Sequence, residues 1–153
     1  MEFLTEELIV QKSSQELTAL LYEGLLTNLY EAIDQIDESN LFQANKSLQR
    51  AGDIVHRLGV GLRYEAGPIT ENLDTLYNFL ADELIRVNLT KNTDSISFLV
   101  KIVETLSTAW NDAMQLKNNA RADSLIKMVS TYENNVMRKK SNRMREHFHE
   151  NQS

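Results

Sequence analysis

The sequence predicts an all-α protein: an antiparallel up-down-up-down four-helix bundle with a short N-terminal arm and an extra C-terminal basic helix. One proline and five glycines in 153 residues are too few breakers for many short strands, and 42% hydrophobic residues are too many for a disordered chain. Four stretches of about 20 to 24 residues each show an apolar face with helical period. The polar turns between them are too short for crossover connections, so successive helices must run antiparallel. A chain of this length makes one ordinary domain, burying roughly 70% of its unfolded surface.

Residues 1–12 are read as the arm, with a small apolar set (Phe3, Leu4, Leu8, Ile9, Val10) too short to be stable alone. Ser13 and Glu16 have capping-box spacing, in which each side chain takes up an unpaired amide at a helix start, so a first helix is expected over residues 15–38. It is unusually apolar, with 12 apolar residues in the 20 positions from Leu17 to Ile36. A core-facing helix uses about 3/7 of its positions. Its apolar arc spans about 180°, where an ordinary stripe covers a little over 100°, and Leu17 and Leu20 lie outside even that arc.

A polar turn over residues 37–40 leads to the second helix, whose seam is Leu41, Ala44, Leu48, Ala51, Val55, Leu58 and Leu62, spaced alternately by three and four. Gly59, Gly61, Gly67 and Pro68 mark its end, since glycine supplies the left-handed cap and proline disfavours helix at the residue before it. The third helix, residues 71–92, places Leu73, Tyr77, Leu80, Leu84 and Val87 in one arc with Ile69 and Leu76. The fourth, residues 94–115, repeats Ile96, Leu99, Val103, Leu106, Trp110 and Ala113. Asn118, Asn119 and Ala120 weaken helix there, and a separate basic helix is expected to follow, ending near Arg145. The domains are thus 1–12 arm, 13–115 bundle and 116–153 basic tail.

Net charge is −6 but unevenly shared. Residues 1–115 carry 8 Lys/Arg against 18 Asp/Glu, and residues 116–153 carry 8 against 4. An acidic body argues against nucleic acid as the main partner, because phosphate binding rests on clustered Lys and Arg. No apolar run approaches the roughly 20 residues of a membrane span, so no membrane insertion is expected. The acidic N-terminus does not read as a secretory signal, and the absence of cysteine excludes disulfides and thiolate metal sites. A soluble, cytoplasmic protein is expected.

Catalytic chemistry is not visible. Di-metal bundles need Glu-x-x-His on two helices, and the nearest approach is Asp53-Ile54-Val55-His56, once. Gly59-Val60-Gly61 lacks the strand and the Lys-Ser/Thr of a phosphate loop. No enzyme activity and no cofactor are expected. Gly24 and Gly52 fall inside helices, where glycine costs roughly 1 kcal/mol against alanine; close helix approach is the usual compensation, and contact with a partner is the alternative.

What remains is surplus apolar surface: Leu17 and Leu20 on the first helix, Phe79 and Ile85 on the third, Phe98 and Val100 on the fourth. Together they favour a bundle that receives an apolar segment on its outside. The first-helix stretch around Leu21-Tyr22-Glu23-Gly24, the spacing Ala51, Ile54, Leu58, the third-helix run Leu73, Leu76, Tyr77, Leu84, Asn88, and Ala109-Trp110 resemble, in order, the FliS family of flagellar secretion chaperones. Ser14 stands where family members commonly have proline, and the tail beyond Gln115 is longer than the resemblance covers.

The resemblance implies binding of the disordered C-terminal segment of flagellin, so that it does not polymerise early, and delivery to a component of the flagellar export gate. The residues expected to bind flagellin are Leu17, Leu20, Leu21, Tyr22, Leu26, Tyr30, Ile54, Phe79 and Ile85. Residues 3–10 are proposed as a lid over part of the groove, an idea that deletion of residues 1–12 tests. The tail is expected to dock on the acidic bundle or to recruit another export component. The alternative reading is a helical adaptor that binds nucleic acid or a membrane surface through its basic tail. Oligomeric state is left open.

Overall fold

A computed structural model describes the backbone of residues 2–62 and 68–152 and the side chains of residues 14–62 and 69–144. The chain forms four helices, α1 (Glu2–Asp37), α2 (Leu41–Gly61), α3 (Pro68–Thr90) and α4 (Thr93–Gln152), with no strand among the described residues. It divides into two compact units, Met1–Asn111 and Asp112–Ser153. The first is the all-α bundle that the periodicity predicts.

Two expected boundaries are corrected. The backbone is already helical from Glu2, so Ser13 and Glu16 sit inside a helix and cap no helix start. Likewise α4 runs through Asn118, Asn119 and Ala120 without a break to Gln152. Neither place holds a glycine or proline, and asparagine lowers helix propensity by only about 0.7 kcal/mol, too little to end a helix that propagation favours. The lid idea rests on side chains of residues 3–10, which lie outside the described residues, as does Gly67.

The turns are built by specific caps. After α1, the Ser39 amide donates to the Ile36 carbonyl at 2.9 Å and the Asn40 amide to the Gln35 carbonyl at 2.7 Å. This is a Schellman closure, which needs a left-handed residue at its centre, and Ser39 supplies it at φ 63°. Asn40 then caps α2, its side-chain oxygen accepting from the Gln43 amide. The α3–α4 turn uses the simpler left-handed cap, with Lys91 at φ 53° donating its amide to the Val87 carbonyl at 2.7 Å, and the Asn92 side chain accepting from the Ser95 amide at 3.1 Å. A side chain in the left-handed region costs about 1 to 2 kcal/mol. Ser39→Gly is therefore expected to raise unfolding stability by about 1 kcal/mol, measured by urea denaturation. Pro68 opens α3, where its fixed φ suits helix and its missing N–H costs no bond.

The core of the first unit is one cluster in which Tyr22, Leu25 and Leu29 of α1, Leu48 and Val55 of α2, Tyr77, Leu80 and Val87 of α3, and Ile96, Leu99 and Val103 of α4 are buried. The Tyr22 and Tyr77 hydroxyls share a buried hydrogen bond of 2.5 Å. Trp110 stacks edge-on against Tyr22 at 6.1 Å between ring centres, and its indole N–H donates to the Gln15 carbonyl at 3.0 Å. Buried Ser47 donates to the Gln35 side-chain oxygen at 2.7 Å, so its hydroxyl is not orphaned.

The seams differ from expectation at their edges. Leu41 and Ile69, expected inside, are exposed, because each stands at the first turn of its helix, where fewer neighbours overhang. Val100, expected outside, is buried. Its neighbours Leu99 and Val103 face the interior too, so the inward arc of α4 is wider than a two-position seam.

Candidate binding grooves of the bundle

Two grooves flank α3. At 100° per residue, Leu76, Phe79, Glu83 and Arg86 line the side of α3 that faces α4, and Thr70, Asp74, Asn78 and Ala81 the side that faces α2. The α3–α4 side carries an apolar furrow of about 460 Å³ lined by Leu76, Lys101, Ile102, Thr105, Leu106 and Ala109. On the next turns of the same helices, Phe79 and Phe98 flank a further hollow of about 340 Å³ rimmed by Glu83, Arg86 and Asp94. From Asp94 to Ala109 this strip runs roughly 22 Å at 1.5 Å per residue, the length of a four-turn helix. Glu83 and Arg86 form an ion pair at 2.6 Å, which fixes two polar side chains at its end.

The α2–α3 groove, about 440 Å³, is more polar, with His56, Glu71, Asp74 and Asn78 beside Val55, Gly59 and Val60. The Thr70 hydroxyl is buried with no hydrogen-bond partner among the described residues. The two interior glycines separate here. A Cβ on Gly24 would sit 3.4 Å from Ile54 Cδ1, so α1 and α2 approach closely there, whereas a Cβ on Gly52 would meet nothing within 4 Å. Gly52 instead lines the α2–α3 groove. Gly52→Ala is thus expected to stabilise the fold by about 1 kcal/mol, read in thermal unfolding, while narrowing that groove.

The nine residues expected to bind flagellin do not form one patch. Leu17, Leu20, Tyr30, Phe79 and Ile85 are exposed, and Leu21, Leu26 and Ile54 are half-buried against the core. Tyr22 is corrected: its side chain is 0% exposed and paired with Tyr77, so it supports the bundle from within. Only Phe79 lies in the α3–α4 strip. Leu17 and Leu20 belong to α1, and Ile85 projects from α3 near 180° from Leu76, on the side of the α2–α3 groove.

Tyr30 has a further role, since its hydroxyl donates to the Glu104 carboxylate on α4. That bond, with some desolvation and the carboxylate's charge, raises the Tyr30 pKa above the usual phenol value. Leu76, Ile102, Leu106 and Ala109 were absent from the expected set. Ile102 and Leu106 sit on successive turns with Phe98, a pattern present in the sequence, while Leu76 and Leu106, at seam positions, both pack against the core and line the furrow.

Among the described residues no group of three His, Asp or Glu side chains is placed to hold a metal, and no described helix is long and apolar enough to cross a membrane. Open apolar strips on the flanks of a helical bundle are surfaces able to take up the apolar face of another polypeptide. The family model for "Flagellar protein FliS" matches residues 5–117. The Escherichia coli K12 flagellar secretion chaperone FliS is 25% identical over 111 residues, 71% of this chain and 82% of that protein. Its Bacillus subtilis 168 counterpart is 24% identical over 109 residues, 71% and 81% of the two chains. The Vibrio cholerae chaperone of the same name is 24% identical over 100 residues. The chain belongs to the FliS family, which is a family of flagellar secretion chaperones and not of enzymes.

Proposed function

We propose that this chaperone binds the disordered C-terminal segment of flagellin in the cytoplasm, keeps it from polymerising, and passes it to a component of the flagellar export gate. The observation that carries the reading is the apolar strip between α3 and α4, from Ala109 to the Phe79–Phe98 hollow. An amphipathic helix fits such a groove by setting side chains at i, i+3 or i+4, and i+7 into it.

Magnitudes decide how much surface the client must use. Ordering a disordered segment costs on the order of 2 to 5 kcal/mol, and micromolar affinity needs about 8 kcal/mol net. At roughly 1.5 to 3 kcal/mol per buried apolar side chain, five to eight anchors are required before further association costs. The strip offers one helix-length of such contacts, so the client extends past it onto a second face, for which exposed Leu17 and Leu20 and the α2–α3 groove are the available surfaces. Titration calorimetry with a flagellin C-terminal peptide tests this. The expected result is weakly salt-dependent binding of micromolar order or tighter, retained after truncation at Gln115. Binding that collapses with salt and vanishes on that truncation would favour the basic-tail adaptor instead.

A further inference from the structure

The second unit lies almost wholly beyond the family match, which ends at residue 117. From Gln115 to Met144 every described side chain is exposed except Val136, so openness marks no side of this helix. Residue type does. At 100° per residue, Tyr132, Leu125, Val136, Val129, Ile126 and Met137 fall within an arc of about 140°. Ser124, Lys127, Thr131, Asn134, Asn135 and Arg138 fill the side opposite. Further along the helix, Lys139, Arg143 and Lys140 stand on that apolar arc or within about 20° of it. The face that meets an occupant is therefore apolar over residues 125–137 and cationic over residues 139–143. Residues 117–144 carry seven Lys/Arg against two Asp/Glu, the reverse of the acidic bundle.

We propose that this face lies on an anionic lipid surface, with its apolar side chains sunk to the level of the headgroups and Lys139, Lys140 and Arg143 on the lipid phosphates. The occupant of such a face has to offer an apolar layer and negative charge side by side. A bilayer containing anionic lipid does so, because its acyl chains lie directly beneath its phosphates. Nucleic acid would satisfy the cations and leave the apolar arc in water, and a second copy would bring further cations against these. Lysine and arginine stems run along the acyl boundary while their charged ends stay with the phosphates.

The helix lies in the surface and does not cross it, since its opposite side is polar and no described helix is long and apolar enough to span a membrane. Secretion, the role of the family, takes its cargo to a membrane, and a chaperone held at that surface is already at its destination. Glu133 is the one charged group inside the apolar arc over residues 125–137, and it opposes binding to an anionic surface. Each cation at such a surface strengthens binding roughly fivefold.

The test is co-sedimentation of the full chain with vesicles of phosphatidylcholine alone or with about 30 mol% phosphatidylglycerol. Binding to the anionic vesicles is expected, with about tenfold or greater weakening on the neutral ones. Val129→Asp, and separately Lys139→Glu with Lys140→Glu, are each expected to weaken it about tenfold or more, while Glu133→Gln tightens it severalfold. Thermal unfolding of the bundle stays unchanged in every variant. Failure to bind the anionic vesicles, equal binding to neutral ones, or binding indifferent to Val129→Asp overturns the proposal. So does a DNA duplex that binds in place of the vesicles, weakened by the charge reversals and untouched by Val129→Asp, which would assign the cationic end to nucleic acid.

Discussion

Replacing Tyr22 by alanine is expected to destabilise the bundle by about 3 to 5 kcal/mol, the usual cost of deleting a buried aromatic ring. The ring is fully buried, its hydroxyl is bonded to Tyr77, and Trp110 packs edge-on against it. The substitution leaves a cavity where three helices meet. Against a typical total of 5 to 15 kcal/mol, the loss is large enough to lower the melting temperature by roughly 10 to 20 °C, read by circular dichroism. Tyr22→Phe keeps the ring and gives up one hydrogen bond, about 1 kcal/mol net. It is expected to leave affinity for a flagellin peptide unchanged, because the hydroxyl is inside. A loss of affinity in Tyr22→Phe at unchanged stability would return Tyr22 to the binding surface.

Phe98→Ala is expected to weaken binding of the flagellin C-terminal peptide by about 1.5 to 3 kcal/mol, a factor of roughly 10 to 150. Phe98 is 57% exposed and lies opposite Phe79 across the α3–α4 strip, so its removal takes away an anchor while leaving the core intact. Calorimetry on the variant, with thermal unfolding as the control for folding, measures both effects. Leu20→Asp, on α1, separates the faces. If it abolishes binding while Phe98→Ala does nothing, the client lies along α1 and the strip is not its berth.

The core could be read largely from spacing. Leu48, Val55, Leu80, Leu84, Ile96 and Leu99 are inside because their periodicity leaves a folded helix no other way to turn them. Boundaries were less legible. Ser13 to Glu16 has the spacing of a cap, yet a cap matters only where a helix begins, and α1 begins earlier. The asparagines at 118 and 119 weaken helix locally, but no glycine or proline stops it.

The binding surface was the least legible part. Surplus apolarity in α1 and α3 signals more apolar side chains than one interior face accommodates, the feature we read as a docking surface. It does not say where, because a helical wheel gives each side chain a direction and no neighbour. Tyr22 and Phe98 show the difference: both are large and apolar, but one is enclosed against Tyr77 of α3 and Trp110 of α4 and the other is 57% exposed. By itself the sequence determined the helical class and the apolar excess, which follow from residue type and spacing along the chain, and it carried the motifs that resemble secretion chaperones. Only the tertiary structure decided which apolar groups remain in contact with water, because that depends on how closely neighbouring helices approach, as Ile54 does at Gly24 and nothing does at Gly52.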